Sequence, residues 1–369
     1  MRLGLVVYDG LECASGGYRY DRRIVAGLRD RGHEVTVVSI PRDGYGSNLL
    51  DNVSRGVTAD LAALEVDVLL QDELCHPSLV RYNRRRDDDA PVVSIVHHLR
   101  SQEPRAAWHN ALIGAVERRY LETVDAFVYN SGTTRETVEA LVGPKPGVVA
   151  PPGGDHVDPG ISRERIRERA HEPGPLRVVF VGTLIERKGL HTLLRGLAAR
   201  PPDEWTLTVV GDPTVDPEYA HRIDRLLDAL DVGRSVTVAG RLSDASLSST
   251  LQESHLLAVP SGYEGFGIVY LEGMGFGLPA LASAAGGARE VVTDGETGLL
   301  ISPGEPRTVA EAVGSLAADR ERLAEMGVAA RDAYDEHPTW SDAVDRVEAF
   351  ASEVQEIARM RGDVRDTRT

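Results

Sequence analysis

A chain of 369 residues, 42% hydrophobic and 27% charged, holds enough material for two packed domains and is not composed like a disordered protein. Its 57 acidic and 41 basic residues leave a formal charge of −16, which argues against a nucleic-acid-binding surface as its main business. No apolar run approaches the ~18–20 residues that cross a bilayer, the opening MRLGLVVYDG lacks a signal-peptide apolar stretch, and Cys13 and Cys75 make neither a disulfide framework nor a metal cluster, so a cytoplasmic protein is expected.

Short apolar β-branched runs alternate with helical patterns from the start. Residues 3–8 read as a strand, after which Tyr20, Ile24 and Leu28 recur at helical spacing up to a capping Gly32. Residues 34–40, 66–71, 92–96, 126–130 and 147–150 continue the strand series, and Thr133 with Glu136 fits a capping box for the helix after the fifth run. The pattern pauses between 151 and 175, where two Pro/Gly clusters bracket a charged helical stretch, 161–170. A second series follows at 176–181, 206–210, 235–239, 256–259, 279–282 and 298–301, then a terminal helix at 340–360. Alternation of this kind predicts right-handed βαβ units and parallel, doubly wound sheets in an α/β protein of two Rossmann-like domains. The expected limits are 1–160, completed by a terminal helix near 341–362, and 172–340.

Ligands of such sheets bind beyond the C-terminal ends of the strands. The loop after the first strand, Ala14-Ser15-Gly16-Gly17-Tyr18, has glycines that let backbone N–H groups approach a phosphate. After 176–181 comes Gly182-Thr183-Leu184-Ile185-Glu186-Arg187-Lys188-Gly189. Only Lys145 and Lys188 are lysines among 41 basic residues, which makes a lysine kept in this loop conspicuous. Arg187 and Lys188 before a helix oppose its dipole and call for an anion such as a phosphate. After 256–259, Gly265 and Gly267 allow close approach, and the Phe266 and Ile268 amides would face an oxyanion. Glu264 and Glu272 would stand ~12 Å apart on a continuous helix at ~1.5 Å per residue, a spacing suited to anchoring the two ends of a long ligand. His97 and His98 follow the fourth strand, and one of them is expected to meet sugar hydroxyls. No H-x-x-x-H, C-x-x-C or carboxylate cluster supplies a metal site, and neither series carries the G-x-G-x-x-G of a nicotinamide enzyme.

Taken together, these residues resemble the retaining GT-B glycosyltransferases of the family 4 type. PSGYEGFGIVYLEGMGFGLPALAS is similar to the family's E-x7-E signature, and FVGTLIERKGLHTLL and VVGDPTVDPEYAHRI match its two preceding blocks in order and spacing. The resemblance implies two Rossmann-like domains facing across a cleft, with the last helix crossing back to the N-terminal, acceptor-binding domain. It also implies that Glu264 contacts the hydroxyls of the donor sugar, Glu272 the ribose, and Lys188 the diphosphate, aided by Gly16, Gly17 and the loop amides of 265–268, with His97 or His98 at the sugar. Thr183 stands where the family commonly has a diphosphate-binding arginine, with Arg187 nearby to compensate, and Pro152 replaces an asparagine in the turn that ends at Asp155. Tyr18, Arg19, Tyr20, Asp155 and residues 43–52 are candidates for the acceptor side.

The implied reaction moves a sugar from a UDP- or GDP-sugar to an acceptor hydroxyl with retention and without a required metal or other cofactor. The acceptor would be a sugar, a lipid-linked or a small molecule, and no nucleic acid is involved. Alternatives are a catalytically decayed sugar-nucleotide-binding protein and a related sugar-phosphate synthase or phosphorylase. Peripheral contact with the inner membrane face stays open through the 105–124 helix, with Arg118, Arg119 and an apolar face of Ala111, Leu112 and Val116, its basic character diluted by Glu117 and Glu122.

Overall fold

The computed structural model describes residues 1–12, 16–86, 89–103, 105–155 and 159–366, so Ala14 and Ser15 of the first glycine loop lie outside the described residues. Each of the twelve β-branched runs forms a strand. Arg2–Tyr8 (β1), Glu34–Ile40 (β2), Val68–Asp72 (β3), Val92–Val96 (β4), Ala126–Tyr129 (β5) and Gly147–Val149 (β6) make one sheet in the order β2-β1-β3-β4-β5-β6. Leu176–Val181 (β7), Trp205–Val210 (β8), Val236–Gly240 (β9), Leu256–Val259 (β10), Ala280–Ser283 (β11) and Gly298–Ile301 (β12) make a second, in the order β12-β11-β10-β7-β8-β9. All pairings are parallel, with Leu3 opposite Val68 and Leu257 opposite Val179. Inner strands such as β4, β5 and β10 are buried along their whole length, the reason they read as unbroken apolar runs.

The chain divides into two compact units, Met1–Gly153 with Pro338–Thr369, and Gly154–His337. The charged helix Arg163–Ala170 belongs to the second. Its Arg169 is buried and donates to the carbonyls of Gln252, Phe276 and Gly277, which ties the helix to that core. The terminal helix Trp340–Asp366 belongs to the first unit and lies against Gly16–Asp30, where a Cβ on Gly27 would stand 2.5 Å from Val344. His33 Nε2 and Glu348 pair across these elements at 2.7 Å.

Some local expectations change. Ser131, not Thr133, caps the helix Gly132–Val142 by accepting from the Thr134 amide at 3.0 Å. In the helix Ala107–Leu121, Ala111 and Leu112 of the apolar face named for membrane contact are exposed, and Val116 is half-buried. Ile113, Glu117, Tyr120 and Leu121 are buried instead, so Glu117 does not dilute a surface charge. Among the described residues no helix is long and apolar enough to cross a membrane.

Candidate functional site

In the second sheet the strand order reverses between β7 and β10, and the crevice beyond that switch point is where a doubly wound sheet binds its ligand. The loop after β7 and the loop after β10 meet there. Glu186–Lys188 form one tight turn that ends at Gly189, whose φ of +73 is left-handed. A Cβ on Gly189 would lie 2.1 Å from the Pro260 carbonyl oxygen, so only glycine lets the two loops approach this closely. The Gly262 amide then donates to the Arg187 carbonyl at 2.7 Å and locks the loops together.

This closure brings Lys188 Nζ within 2.6 Å of Glu264 Oε1. Ser261 Oγ donates to the same oxygen at 2.5 Å, and Arg187 donates to the Tyr263 carbonyl at 2.7 Å and lies 3.4 Å from Glu264 Oε2. Burial alone would raise the Glu264 pKa, but the Lys188 and Arg187 charges and the hydrogen bonds outweigh it and hold the carboxyl at about 2. Burial pulls the Lys188 ammonium below its ordinary value against the opposing pull of Glu264. The basic pair expected to meet an anion is therefore half-buried and converges on Glu264. Ser261 was in the quoted motif but not among the expected site residues. Its signal was its place directly after the strand, three residues before the glutamate.

Glu264 is not on the helix. The helix Ile268–Gly275 starts after Gly267, whose φ is +96, while Glu264 forms an isolated parallel bridge with Gly286 and accepts from the Gly287 amide at 2.8 Å. The spacing drawn from a continuous helix therefore does not apply. Glu272 and Phe266 are buried, Gly265 and Ile268 flank the turn, and Thr183 sits in the β7 loop with its carbonyl taking the Ile185 amide at 2.9 Å.

The first unit gathers a different set beyond its own switch point, between β1 and β3. Gly16 and Gly17 open the first helix, and a Cβ on Gly17 would sit 3.0 Å from His97 Cδ2. His97 Nε2 lies 3.1 Å from Asp21 Oδ1, and Asp72 completes a buried trio whose ligand-type atoms all fall within 4.8 Å of one another. Burial alone would lower the His97 pKa, yet the Asp21 carboxylate, with Asp72 and Glu73 behind it, raises it to about 9. His98 turns to another partner, Glu103 Oε1 at 2.9 Å. A second buried trio, Glu73, His76 and Glu117, lies on neighbouring elements. The first trio draws on three distant segments, and in the second Glu117 joins Glu73 and His76, which stand three residues apart, from a later helix. The readable signal was a carboxylate on the buried stripe of a helix, Asp21 beside Ile24 and Leu28, and Glu117 beside Ile113 and Tyr120.

Tyr20, expected on the acceptor side, is a core residue: its hydroxyl donates to the Ala150 carbonyl at 2.9 Å and its ring packs edge-on against His97 and Trp340. Tyr18 is buried as well, while Arg19 is half-buried and Asp155 is exposed. Lys145 is structural, its ammonium donating to the carbonyls of Leu121, Glu122 and Val124 at a helix end.

Residues 162–333 match the family described as Glycosyl transferases group 1. The second unit therefore belongs to the group 1 glycosyltransferases. The chain is 33% identical over 234 residues to the GDP-mannose-dependent alpha-(1-6)-phosphatidylinositol monomannoside mannosyltransferase of Mycolicibacterium smegmatis, a match covering 58% of each chain. It is 28% identical over 338 residues to the alpha-maltose-1-phosphate synthase of the same organism, across 84% of this chain and 87% of the relative. The chain thus spans 58% of the length of that mannosyltransferase. The solved sucrose-phosphate synthase of Thermosynechococcus elongatus superposes with a TM-score of 0.77 at 21% identity, over 98% of this chain and 99% of the other, which shows a GT-B fold.

Proposed function

We propose that this protein transfers a sugar from a UDP- or GDP-sugar to an acceptor hydroxyl, with retention and with no metal in the transfer step. The observation that carries the reading is the convergence of half-buried Lys188 and Arg187 on buried Glu264 at the switch point of the second sheet. In the unliganded protein the two cations neutralise Glu264. A bound donor divides them: sugar hydroxyls donate to the ionised Glu264, while Lys188 turns to the diphosphate. Arg187 takes the part that the family's arginine would play at Thr183, since it already lies beside Lys188 on the same carboxylate. Glu272 binds the ribose, and the amides of the 265–268 turn face the phosphates.

In the reaction the bond from the anomeric carbon to the phosphate oxygen breaks as the acceptor oxygen bonds to that carbon from the same face. The acceptor proton passes to the departing phosphate oxygen, so no protein base is required. Lys188 and the fixed amides stabilise the charge that grows on the diphosphate. His97 is held by Asp21, and His98 is left to its ion pair with Glu103. The identity with the mycobacterial mannosyltransferase favours GDP-mannose as the first donor to test. The test is label transfer from GDP-mannose, and in parallel from UDP-sugars, to a panel of sugar, polyol-phosphate and lipid acceptors. Transfer with the anomeric configuration kept is the expected result. Nucleotide binding without transfer to any acceptor would favour the decayed binding protein.

A further inference from the structure

Glu73, His76 and Glu117 come from three pieces of the first unit: the turn after β3, the start of the helix His76–Arg85, and the helix Ala107–Leu121. All three side chains are at most 1% exposed, and one ligand-type atom from each falls within 4.8 Å of the other two. Among the described residues neither carboxylate has a Lys or Arg ion-pair partner. Both Glu73 oxygens and Glu117 Oε2 are without a hydrogen bond, although an unpaired buried carboxylate oxygen is costly. His76 Nδ1 stands 3.0 Å from Glu73 Oε1 but gives its hydrogen bond to the Glu73 carbonyl, also at 3.0 Å, so it does not satisfy the carboxylate. The remaining contacts are those of held ligands. Tyr45 Oη lies 3.0 Å from His76 Nε2, and the Ser101 amide donates to Glu117 Oε1 at 3.0 Å.

We propose that Glu73, His76 and Glu117 bind a divalent transition-metal ion, Zn2+ in the first instance, that holds the first unit together. One imidazole nitrogen and two carboxylates suit zinc, whose bonds to such ligands are ~2.0–2.2 Å and which leaves a fourth position to water. Small side-chain movements bring three atoms that already lie within 4.8 Å of one another onto such an ion. In the loaded site His76 coordinates through Nδ1, and its Nε2–H donates to Tyr45. The ion's charge offsets the two buried carboxylates and takes up the oxygens that lack partners. Lys188 and Glu264 belong to the other unit, so the proposed ion site is separate from that pair.

The test uses the full, untagged chain, stripped with chelator and dialysed, then titrated with Zn2+ and with Co2+ as a visible-absorbing stand-in. The wild type should take up one equivalent of Zn2+, gain several degrees in Tm, and show a Co2+ absorption band that Zn2+ abolishes. Glu73→Gln and Glu117→Gln should lose that equivalent. Tyr45→Phe keeps all three ligands, so it guards against variants that fail to fold, and it should bind Zn2+ roughly 10–100-fold more weakly. A stripped wild type that takes up no equivalent would overturn the proposal. So would Glu73→Gln, Glu117→Gln and Tyr45→Phe proteins that all bind Zn2+ as the wild type does.

Discussion

At Glu264, opposing effects of burial and charge are resolved by two cations and a hydroxyl, and the outcome is a carboxylate ionised down to about pH 2. Its ordinary value is 4.5, so between the two the unfolded chain binds the extra proton. Stability from this group is therefore complete above about pH 4.5 and is lost as pH falls toward 2, on the order of 3 kcal/mol in all. Urea unfolding of wild type and Glu264→Gln should differ most at neutral pH, with the gap narrowing below pH 4.5 and closing only toward pH 2. Lys188→Ala should lower turnover about 10²–10³-fold, the scale for removing one preorganised charge-stabilising donor, and steady-state kinetics measure it directly. At His97 the sign is reversed, because its pKa rises to about 9 through Asp21. Its contribution is whole below pH 6.5 and fades as pH climbs through 9. In Asp21→Asn the ring loses its nearest negative charge, and NMR titration of its Cε1 proton should show a midpoint at least one pH unit lower.

Among the elements, the strands were the most legible part of the chain. Buried parallel strands must be apolar along their whole length, and all twelve announced themselves, including β10 ahead of the glutamate loop. The loops after β7 and β10 were legible as places for chemistry because a doubly wound sheet puts ligands there. Their closure was not, since it depends on Pro260 and Gly189 meeting across 71 positions of the chain. Gly189→Ala tests that closure. A left-handed φ costs an L-residue about 1–3 kcal/mol, and the contact with the Pro260 carbonyl adds to it. The variant should unfold at lower urea and bind nucleotide more weakly. Equal stability would show that the loops do not meet as described. Helix faces were less legible than strands. Asp21 and Glu117 occupy buried stripes normally filled by apolar residues, and only the neighbours supplied by β3 and β4 explain them. Ser131 was missed as a cap because Thr133 and Glu136 offered the same spacing two residues later.

For the molecule as a whole, 57 acidic residues outnumber 41 basic ones, and at the second sheet's switch point two of those cations, half-buried, converge on one carboxylate. Both ends of the chain build the first unit, so its stability rests on the terminal helix that returns to the first one, whereas the second unit carries the family match by itself. The central claim is that this second unit binds a nucleoside diphosphate through Lys188. The most direct measurement is thermal unfolding with UDP, GDP, ADP and NAD, run on wild type and on Lys188→Ala. A ligand at ~100 times its dissociation constant adds about 2.7 kcal/mol, enough for a shift of a few degrees. One nucleoside diphosphate should raise the wild-type Tm, and Lys188→Ala should lose most of the shift. No shift with any diphosphate, an undiminished shift in Lys188→Ala, or a shift with NAD alone would contradict it.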